Sequence, residues 1–192
     1  MSQRPHKPLS EMSLEELWQL FPIRLTPHAP CWKTQYTKEA QSIFTILSTL
    51  PIFRISHIGS TAVPEIHAKP IVDILLEIPK QSALTDYKNI LTAHDWICMS
   101  ENEKRISFNK GYTPEGYAEE VYHLHLRFQG DNDELYFRDF LIDHSETAKE
   151  YERLKLSLWK RYEFDRDGYT KAKTAFIEKY TNAAKLLYPN RY

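Results

Sequence analysis

The sequence is poor in cysteine and glycine, has no long apolar run and carries almost no net charge. Its 192 residues include five glycines and two cysteines, Cys31 and Cys98. Two thiols without CxxC spacing exclude a disulfide framework. No stretch approaches the roughly 18 consecutive apolar residues of a membrane helix, and the first 18 residues lack the apolar core of a signal peptide. We therefore expect a cytoplasmic protein that does not enter a membrane.

The charged residues are numerous but balanced, with 25 lysines and arginines against 26 aspartates and glutamates. A net charge of −1 gives no overall attraction to nucleic acid or to an anionic membrane. Any polyanion must therefore meet a local basic cluster. Apolar residues make up 42% of the chain, whereas disordered chains combine low hydrophobicity with high net charge. We expect one folded domain that does not bind nucleic acid.

Hydrophobic periodicity predicts helices and strands throughout the chain. Helices are predicted over residues 14–20, 33–50, 82–93, 134–143, 146–162 and 169–187. Strands are predicted over residues 52–58, 71–78, 96–99, 105–109 and 121–128, with a possible edge strand at 23–25. Residues 110–120 contain two glycines and a proline and are predicted to form a loop.

This order of elements predicts an α/β (α+β) protein with a mixed β-sheet, flanking helices and a helical C-terminal tail. Residues 1–22 form an extension with a short helix, in which Ser13 and Glu16 make a capping-box pattern. Residues 23–130 form the core, and residues 131–192 form helices that cover it. All three parts belong to a single domain.

Residues 57–78, HIGSTAVPEIHAKPIVDILLEI, carry the most chemical information. Gly59 lets backbone N–H groups approach a ligand closely, and Ser60 and Thr61 add hydroxyl donors suited to phosphate oxygens. Asp73 lies in an otherwise apolar strand, where a carboxylate is costly to bury unless it is paired or binds a metal. The alternative is an ordinary turn followed by a structural acid. The spacing of the turn and the acid favours a functional site.

A second polar group is predicted on the strand 121–128. Its regular alternation puts His123, His125 and Arg127 on one face and apolar residues on the other. If this face meets Asp73, it could complete a metal site or hold a phosphate, with one histidine as general base. The alternative is a strand with one solvated face.

Residues 57–78 resemble the signature of the GrpB family, whose members are assigned to the nucleotidyltransferase fold. The resemblance runs from residues 25–32 through YHLHL (122–126) and FRDFL (137–141) to YTKAKTAFI (169–177), so it covers nearly the whole chain. In that fold a Gly-Ser turn binds nucleotide phosphates, and acids on the next strand hold Mg²⁺. The resemblance therefore implies phosphate binding at Gly59 and Ser60, and Mg²⁺ or Mn²⁺ at Asp73.

The sequence departs from this pattern at the second acid, because Leu75 stands where a carboxylate is expected. Glu77 shares the face of Asp73, but residues i and i+4 of a strand are about 13 Å apart. The two can hardly share one ion, so a two-metal site is incomplete. The candidate metal ligands are Asp73, His125 from the other strand and, as a further acid, Glu77.

Other basic residues are candidate phosphate contacts. Lys69 and Arg105 are candidate phosphate contacts, with a solvated surface as the alternative, and Arg127 belongs to the strand face that could hold a phosphate. The resemblance implies that Lys173, on the last long helix, reaches the phosphate. The charged residues of the helix 146–162 are predicted to form a solvated face.

Three functions stay open at this stage. The first is Mg²⁺-dependent transfer of a nucleotidyl or phosphoryl group, with Asp73 at the metal and His123 or His125 acting on an acceptor hydroxyl. The second is a non-catalytic module that binds a nucleotide or phosphorylated small molecule. The third is a divalent-metal-dependent hydrolase that uses the histidines and Asp73. The missing acid at Leu75 favours the second.

Overall fold

The computed structural model describes residues 7–192, and its helices and strands follow the predicted order. The helices are α1 (Leu14–Leu20), α2 (Cys31–Ile46), α3 (Leu84–Thr92), α4 (Asp133–Asp143), α5 (Ser145–Trp159) and α6 (Arg166–Leu187). The strands are β1 (Arg54–Ile58), β2 (Val72–Ile78), β3 (Ile97–Glu101), β4 (Arg105–Thr113) and β5 (Gly116–Phe128). Residues 1–6 of the predicted N-terminal extension lie outside the described residues. No helix in the described range is long and apolar enough to cross a membrane.

The five strands form one mixed sheet in the order β1-β2-β5-β4-β3. The two central strands, β2 and β5, run parallel, and all other neighbours are antiparallel. Parallel pairing requires a long crossover, which here contains α3 and the β3-β4 hairpin. The predicted α/β class with a mixed sheet and flanking helices is confirmed.

The two faces of the sheet have different chemistry. Ile74 and Leu76 of β2 and Leu124 and Leu126 of β5 are fully buried against a core that α2 and α3 complete. The parallel register pairs Asp73 with His123 on the opposite face. Side chains alternate along strands, so the apolar core fixes which residues face the other way.

The C-terminal helices are associated with the face that carries Asp73. Leu75 packs with Leu135 of α4 and Ile58 of β1. Helix α5 packs through Ala148 and Tyr151 against the segment between β1 and β2. These helices therefore cover the polar face of the sheet. The division of the chain at residues 22 and 130 stays a prediction.

Two local predictions are wrong. Residues 110–120 are not a loop, because β4 and β5 continue as a hairpin whose turn lies at residues 114–115. Gly111 has φ +86° and lies at a register shift between Lys110 and Tyr112. Such a bulge bends the strand, and the hydrogen-bonded pairing of β4 with β5 continues beyond it. The expected edge strand at residues 23–25 is replaced by one isolated bridge, between Thr26 and Ala68.

The N-terminal helix begins as the sequence predicts. The Ser13 hydroxyl accepts a hydrogen bond from the Glu16 backbone N–H, and the Glu16 carboxylate accepts one from the Ser13 backbone. No residue of α1 is buried. Local capping, and not burial in the core, therefore defines where this helix starts.

Candidate functional site

A cavity of ≈1050 Å³ lies on the polar face of the sheet. Its walls come from the turn after β1, from the sheet, from α1 and from the C-terminal helices. The predicted site residues that line it are Gly59, Ser60, Thr61, Lys69, Asp73, His123, His125 and Lys173. Eight of the ten predicted residues therefore reach one cavity, and Glu77 and Arg127 do not.

The turn after β1 packs directly on the carboxylate of Asp73. Gly59 has φ +71° and ψ −173°, a backbone region essentially restricted to glycine. A Cβ added there would overlap Asp73 Oδ2 and come within 3.0 Å of its Cγ. Two residues after Gly59, the hydroxyl of Thr61 lies 2.9 Å from His57 Nε2. Glycine is therefore needed here for both backbone conformation and close approach.

A chain of hydrogen bonds runs from Asp73 across the cavity. His123 Nδ1 donates to Asp73 Oδ1 over 3.0 Å. The Tyr112 hydroxyl donates to His123 Nε2 over 2.8 Å, and Arg166 donates to the Tyr112 oxygen over 3.0 Å. This pattern holds the imidazole in one neutral tautomer, because its two nitrogens have different partners.

The protonation states agree with that pattern. Burial lowers the pKa of His123 to about 4, although the neighbouring Asp73 opposes the shift. Burial would raise the pKa of Asp73, but the hydrogen bond from His123 and the nearby ring of His125 outweigh it and hold that pKa well below its usual range. Burial raises the pKa of Tyr112. At neutral pH the site therefore holds a carboxylate, a neutral imidazole and a protonated phenol.

The surroundings of His125 and Arg127 differ from those of His123, although all three side chains lie on the same face of β5. His125 Nε2 lies 3.9 Å from Asp73 Oδ1, and its Nδ1 lies 3.3 Å from Arg127 Nη2. The Arg127 side chain is buried and also lies 3.8 Å from carboxylates of Asp131 and Glu134. Arg127 therefore orients His125 and does not reach the cavity, contrary to the predicted phosphate contact.

Glu77 is also separate from the site. It is fully buried and forms a salt bridge with Arg54, its cross-strand partner on β1. Its other oxygen accepts hydrogen bonds from the Gly130 backbone N–H and from Asn132 Nδ2. All of these partners neutralise or solvate the carboxylate, so Glu77 is a structural acid and the structure does not support it as a metal ligand. Arg105 is likewise engaged, in two hydrogen bonds to Asp131.

Four basic side chains line the cavity without an acidic partner. They are Lys69, Lys155, Arg166 and Lys173. Among residues 7–192 none of the four forms a salt bridge with a carboxylate. A cluster of like charges withdrawn from water is unfavourable without a counter-charge. This part of the cavity lining therefore carries positive charge without a paired counter-charge.

The lysine pKa values reflect this crowding. Burial, followed by repulsion from Arg166 and Lys173, lowers the pKa of Lys69 to about 7. Burial, followed by repulsion from Lys173, lowers the pKa of Lys155 to about 7. Burial lowers the pKa of Lys173 to about 8. An anion among these groups would favour their protonated forms.

Lys155 contradicts the prediction that the charges of α5 are solvated. It is 2% exposed and lies on the buried side of the helix with Ala148 and Tyr151. Its ammonium donates to the His67 carbonyl oxygen. The spacing i, i+3, i+7 of these three residues was a sequence signal for a lysine on an apolar helix face, but the expectation of a solvated face overlooked it.

Tyr169 provides a second unexpected feature. Its side chain is 1% exposed and lines the cavity, yet its hydroxyl has no hydrogen-bond partner within the described residues. The ammonium of Lys173 lies 4.3 Å from the centre of its ring. A buried hydroxyl without a partner is costly. This orphaned donor therefore points to a ligand that completes the site.

The residues around Asp73 do not form a metal site by themselves. In the part of the chain that the structure describes, no group of three or more His, Cys, Asp or Glu side chains is arranged to hold an ion. Leu75 occupies the position of the second acid and is fully buried. Mg²⁺ requires octahedral oxygen ligands, and here only one carboxylate is available. A two-metal arrangement does not fit these residues.

The segment that carries Lys69 is attached to α5 by Glu152. The Glu152 carboxylate accepts hydrogen bonds from the His67 backbone N–H over 2.6 Å and from Lys149 over 3.2 Å, and lies 2.8 Å from His67 Nδ1. Burial alone would raise its pKa, but these contacts outweigh it and lower the pKa from 4.5 to about 2. Glu152 therefore fixes the segment between β1 and β2 through its charged form.

We expect Glu152→Gln to lower the free energy of unfolding by about 2 kcal/mol at pH 7. Because the folded pKa is depressed, the contribution is complete above pH 4.5 and is lost as the pH falls toward 2. Urea unfolding at pH 7, 5, 4 and 3 should show the variant and the wild type converging in acid. The exposed Glu146 of the same helix provides the control, Glu146→Gln. Parallel curves for Glu152→Gln and wild type would contradict this role.

Comparison with known proteins assigns the chain to a family. A family model described as GrpB protein matches residues 22–183. A UPF0157 protein of Pseudomonas aeruginosa is 35% identical over 162 residues, which cover 82% of this chain and 65% of that protein. The glutamate-rich protein GrpB of Alkalihalophilus pseudofirmus is 30% identical over 166 residues, 83% of this chain and 94% of that protein.

A solved structure shares the fold. The crystal structure of the conserved protein GrpB from Enterococcus faecalis superimposes with a TM-score of 0.74 at 28% sequence identity, and the match covers 86% of this chain and 99% of that one. The matched range 22–183 spans the Gly59 turn, Asp73, both histidines and the four basic residues without an acidic partner. The chain therefore belongs to the GrpB family.

Proposed function

We propose that the cavity binds a nucleotide or another phosphorylated small molecule. The observation that carries this proposal is the set of four basic side chains, Lys69, Lys155, Arg166 and Lys173, which line one cavity and form no salt bridge with a carboxylate in residues 7–192. The phosphates would lie between these groups and the backbone of the Gly59 turn. The unpartnered Tyr169 hydroxyl would donate one further hydrogen bond.

The balance of charge favours phosphate over a singly charged anion. Asp73 is the acid that acts on Lys69, Arg166 and Lys173. Of the other acids that line the cavity, Asp133 and Glu134 lie against Lys185 and Arg127, and Asp167 and Glu178 are exposed. Four basic groups beside this one carboxylate leave an excess of positive charge when the lysines are protonated. A phosphate monoester carries roughly two negative charges at neutral pH, and a diphosphate or triphosphate carries more. A polyphosphate therefore matches the cavity best.

The four basic groups also affect whether the ligand needs a divalent ion in order to bind. Proteins often hold Mg²⁺ through one or two carboxylates together with substrate phosphates. Asp73 is the one candidate carboxylate, and its Oδ1 already accepts a hydrogen bond from His123. We propose that the lysines and Arg166 neutralise most of the phosphate charge, so that binding does not require Mg²⁺ or Mn²⁺. Any such ion would enter with the ligand and contact Asp73.

Binding without transfer is the function that the geometry supports best. His123 Nε2, the atom that would remove a proton from an acceptor, accepts a hydrogen bond from Tyr112. The position of a second acid is taken by Leu75, which is fully buried. Transfer of a nucleotidyl or phosphoryl group is the second candidate, favoured by the neutral imidazole of His123 beside the basic cluster. A metal-dependent hydrolase has less support, because it needs a preformed metal site.

Thermal unfolding with ATP, CTP, GTP and UTP tests binding. A ligand at 100 times its Kd should stabilise the protein by about 2.7 kcal/mol. We expect stabilisation by at least one nucleotide in EDTA and little further change with Mg²⁺ or Mn²⁺. Absence of stabilisation by every nucleotide and by inorganic tripolyphosphate, with and without the ions, would overturn the proposal.

Release of pyrophosphate, which nucleotidyl transfer produces, and of nucleoside diphosphate, which phosphoryl transfer produces, then separates binding from transfer. For a binding module we expect no release above background from any nucleotide that binds, with Mg²⁺ or Mn²⁺ present and extracted small molecules as acceptors. Release that disappears in Asp73→Asn and His123→Gln would favour transfer, because in the proposal both side chains border the phosphates.

A further inference from the structure

Helix α1 presents an apolar face to the cavity. Leu14, Leu17, Trp18 and Phe21 follow the spacing i, i+3, i+4, i+7 of one helix face, and all four line the cavity. Leu14 is 51% exposed, and no residue of α1 itself is buried. In a helix that packs on a core, this stripe would be covered. Here Leu14 is exposed and Leu17 and Trp18 are half-buried, whereas Phe21, just after the helix, is buried.

This apolar wall adjoins the polar end of the cavity. The ring of Phe21 lies 4.7 Å from that of Tyr112 and 5.0 Å from that of Tyr117, centre to centre. The Tyr112 hydroxyl donates to His123, which in turn donates to Asp73. A few side-chain contacts therefore connect the apolar wall to the carboxylate. One small molecule could touch both ends.

The sheet adds further apolar side chains to the cavity. Ile97 and Met99 of the edge strand β3 also line the cavity and are 42% and 55% exposed. Ligand pockets combine a largely apolar lining with a few polar groups that fix orientation. The cavity combines these two kinds of lining, four basic side chains and the apolar side chains of α1 and β3.

From this arrangement we infer that α1 binds an aromatic group that is covalently attached to the phosphates of the ligand. The inference rests on the proposed function and narrows the ligand to nucleotides and similar phosphorylated aromatic compounds. Aromatic side chains favour this occupant over an alkyl chain, because Trp18 and Phe21 lie on the wall and Tyr112 lies at its junction with the polar end. Flat ring systems stack on such side chains whatever their hydrogen-bonding groups.

The test compares ATP with inorganic tripolyphosphate, which has the same phosphate chain and no ring system. Isothermal titration in EDTA should give an affinity for ATP at least about 10-fold higher than for tripolyphosphate. Trp18→Ala should reduce the affinity for ATP by about 5- to 100-fold and leave tripolyphosphate unchanged, because loss of stacking affects only the aromatic part. Leu14→Ser, at a more exposed position, should act in the same direction with a smaller effect.

Gln19→Ala is the matched control, because Gln19 is exposed on α1 and does not line the cavity. It should bind both compounds like the wild type, and unfolding without ligand should be the same for all three variants. Equal affinity of the wild type for ATP and tripolyphosphate would overturn this inference and leave the proposed function standing. Tighter binding of dodecyl phosphate than of ATP would also overturn it. Binding of none of the three compounds would remove the proposed function itself.

Discussion

Lys69→Met is expected to weaken binding of a phosphorylated ligand by about 10- to 100-fold, since a hydrogen bond to a charged group contributes about 1.5–3 kcal/mol. The same change should raise the free energy of unfolding of the ligand-free protein by about 1 kcal/mol. Lys69 has no acidic partner among the described residues, and Arg166 and Lys173 repel it. An apolar side chain of similar length removes this repulsion. Binding and stability should therefore change in opposite directions.

The opposite signs separate a ligand-binding lysine from a structural one. Isothermal titration gives the affinity, and urea unfolding gives the stability. Lys171→Met is the control, since Lys171 is exposed on α6 and does not line the cavity. In the wild type the affinity should also fall as the pH rises from 6.5 to 8.5, because Lys69 and Lys155 lose their protons near pH 7. A Lys69→Met protein that is less stable and binds normally would refute the assignment.

Gly59→Ala should lower the free energy of unfolding by about 3 kcal/mol or more. The backbone conformation at φ +71° and ψ −173° costs about 1–3 kcal/mol for a residue with a Cβ. The new methyl group would also overlap the Asp73 carboxylate. Either the turn moves away from β2 or the carboxylate turns away from His123. In both cases ligand binding should fall together with stability.

Gly130→Ala separates the cost of backbone strain from the cost of overlap with the Asp73 carboxylate. Gly130 also has a positive φ, +92°, but a Cβ there would meet nothing within 4 Å. Its substitution should cost about 1 kcal/mol, from backbone strain alone. Adding Asp73→Ala to Gly59→Ala should recover part of the stability, because Oδ2 and Cγ are then absent. Equal losses for Gly59→Ala and Gly130→Ala would show that the turn does not approach Asp73.

Much of the site could be predicted because strands have a simple geometry. The alternation in β5 put His123 and His125 on one face, and the apolar neighbours of Asp73 made β2 a central strand. In the structure these strands are parallel neighbours, and Asp73 is directly opposite His123. The Gly59 turn follows from the same local reasoning, because a positive φ and close approach both require glycine.

Other residues could not be predicted because their roles depend on contacts between distant segments. Glu77 has the same alternation as Asp73, and only the register with β1 shows that Arg54 neutralises it. Tyr112 was assigned to a loop, since nothing local shows that a bulge at Gly111 continues the strand. Arg166 reaches the site only because α6 runs beside the sheet and its guanidinium bonds to the Tyr112 hydroxyl.

The sequence by itself determined the order of helices and strands, the family and the pairing of a glycine turn with one acid in an apolar strand, because periodicity and backbone preference are local properties. Only the tertiary structure decided the electrostatic character of the cavity. Lys155 and Arg166 come from helices far along the chain, and their charges combine with those of Lys69 and Lys173 only after the helices pack on the sheet. Charge interactions depend on distance in space, and sequence separation gives no measure of that distance.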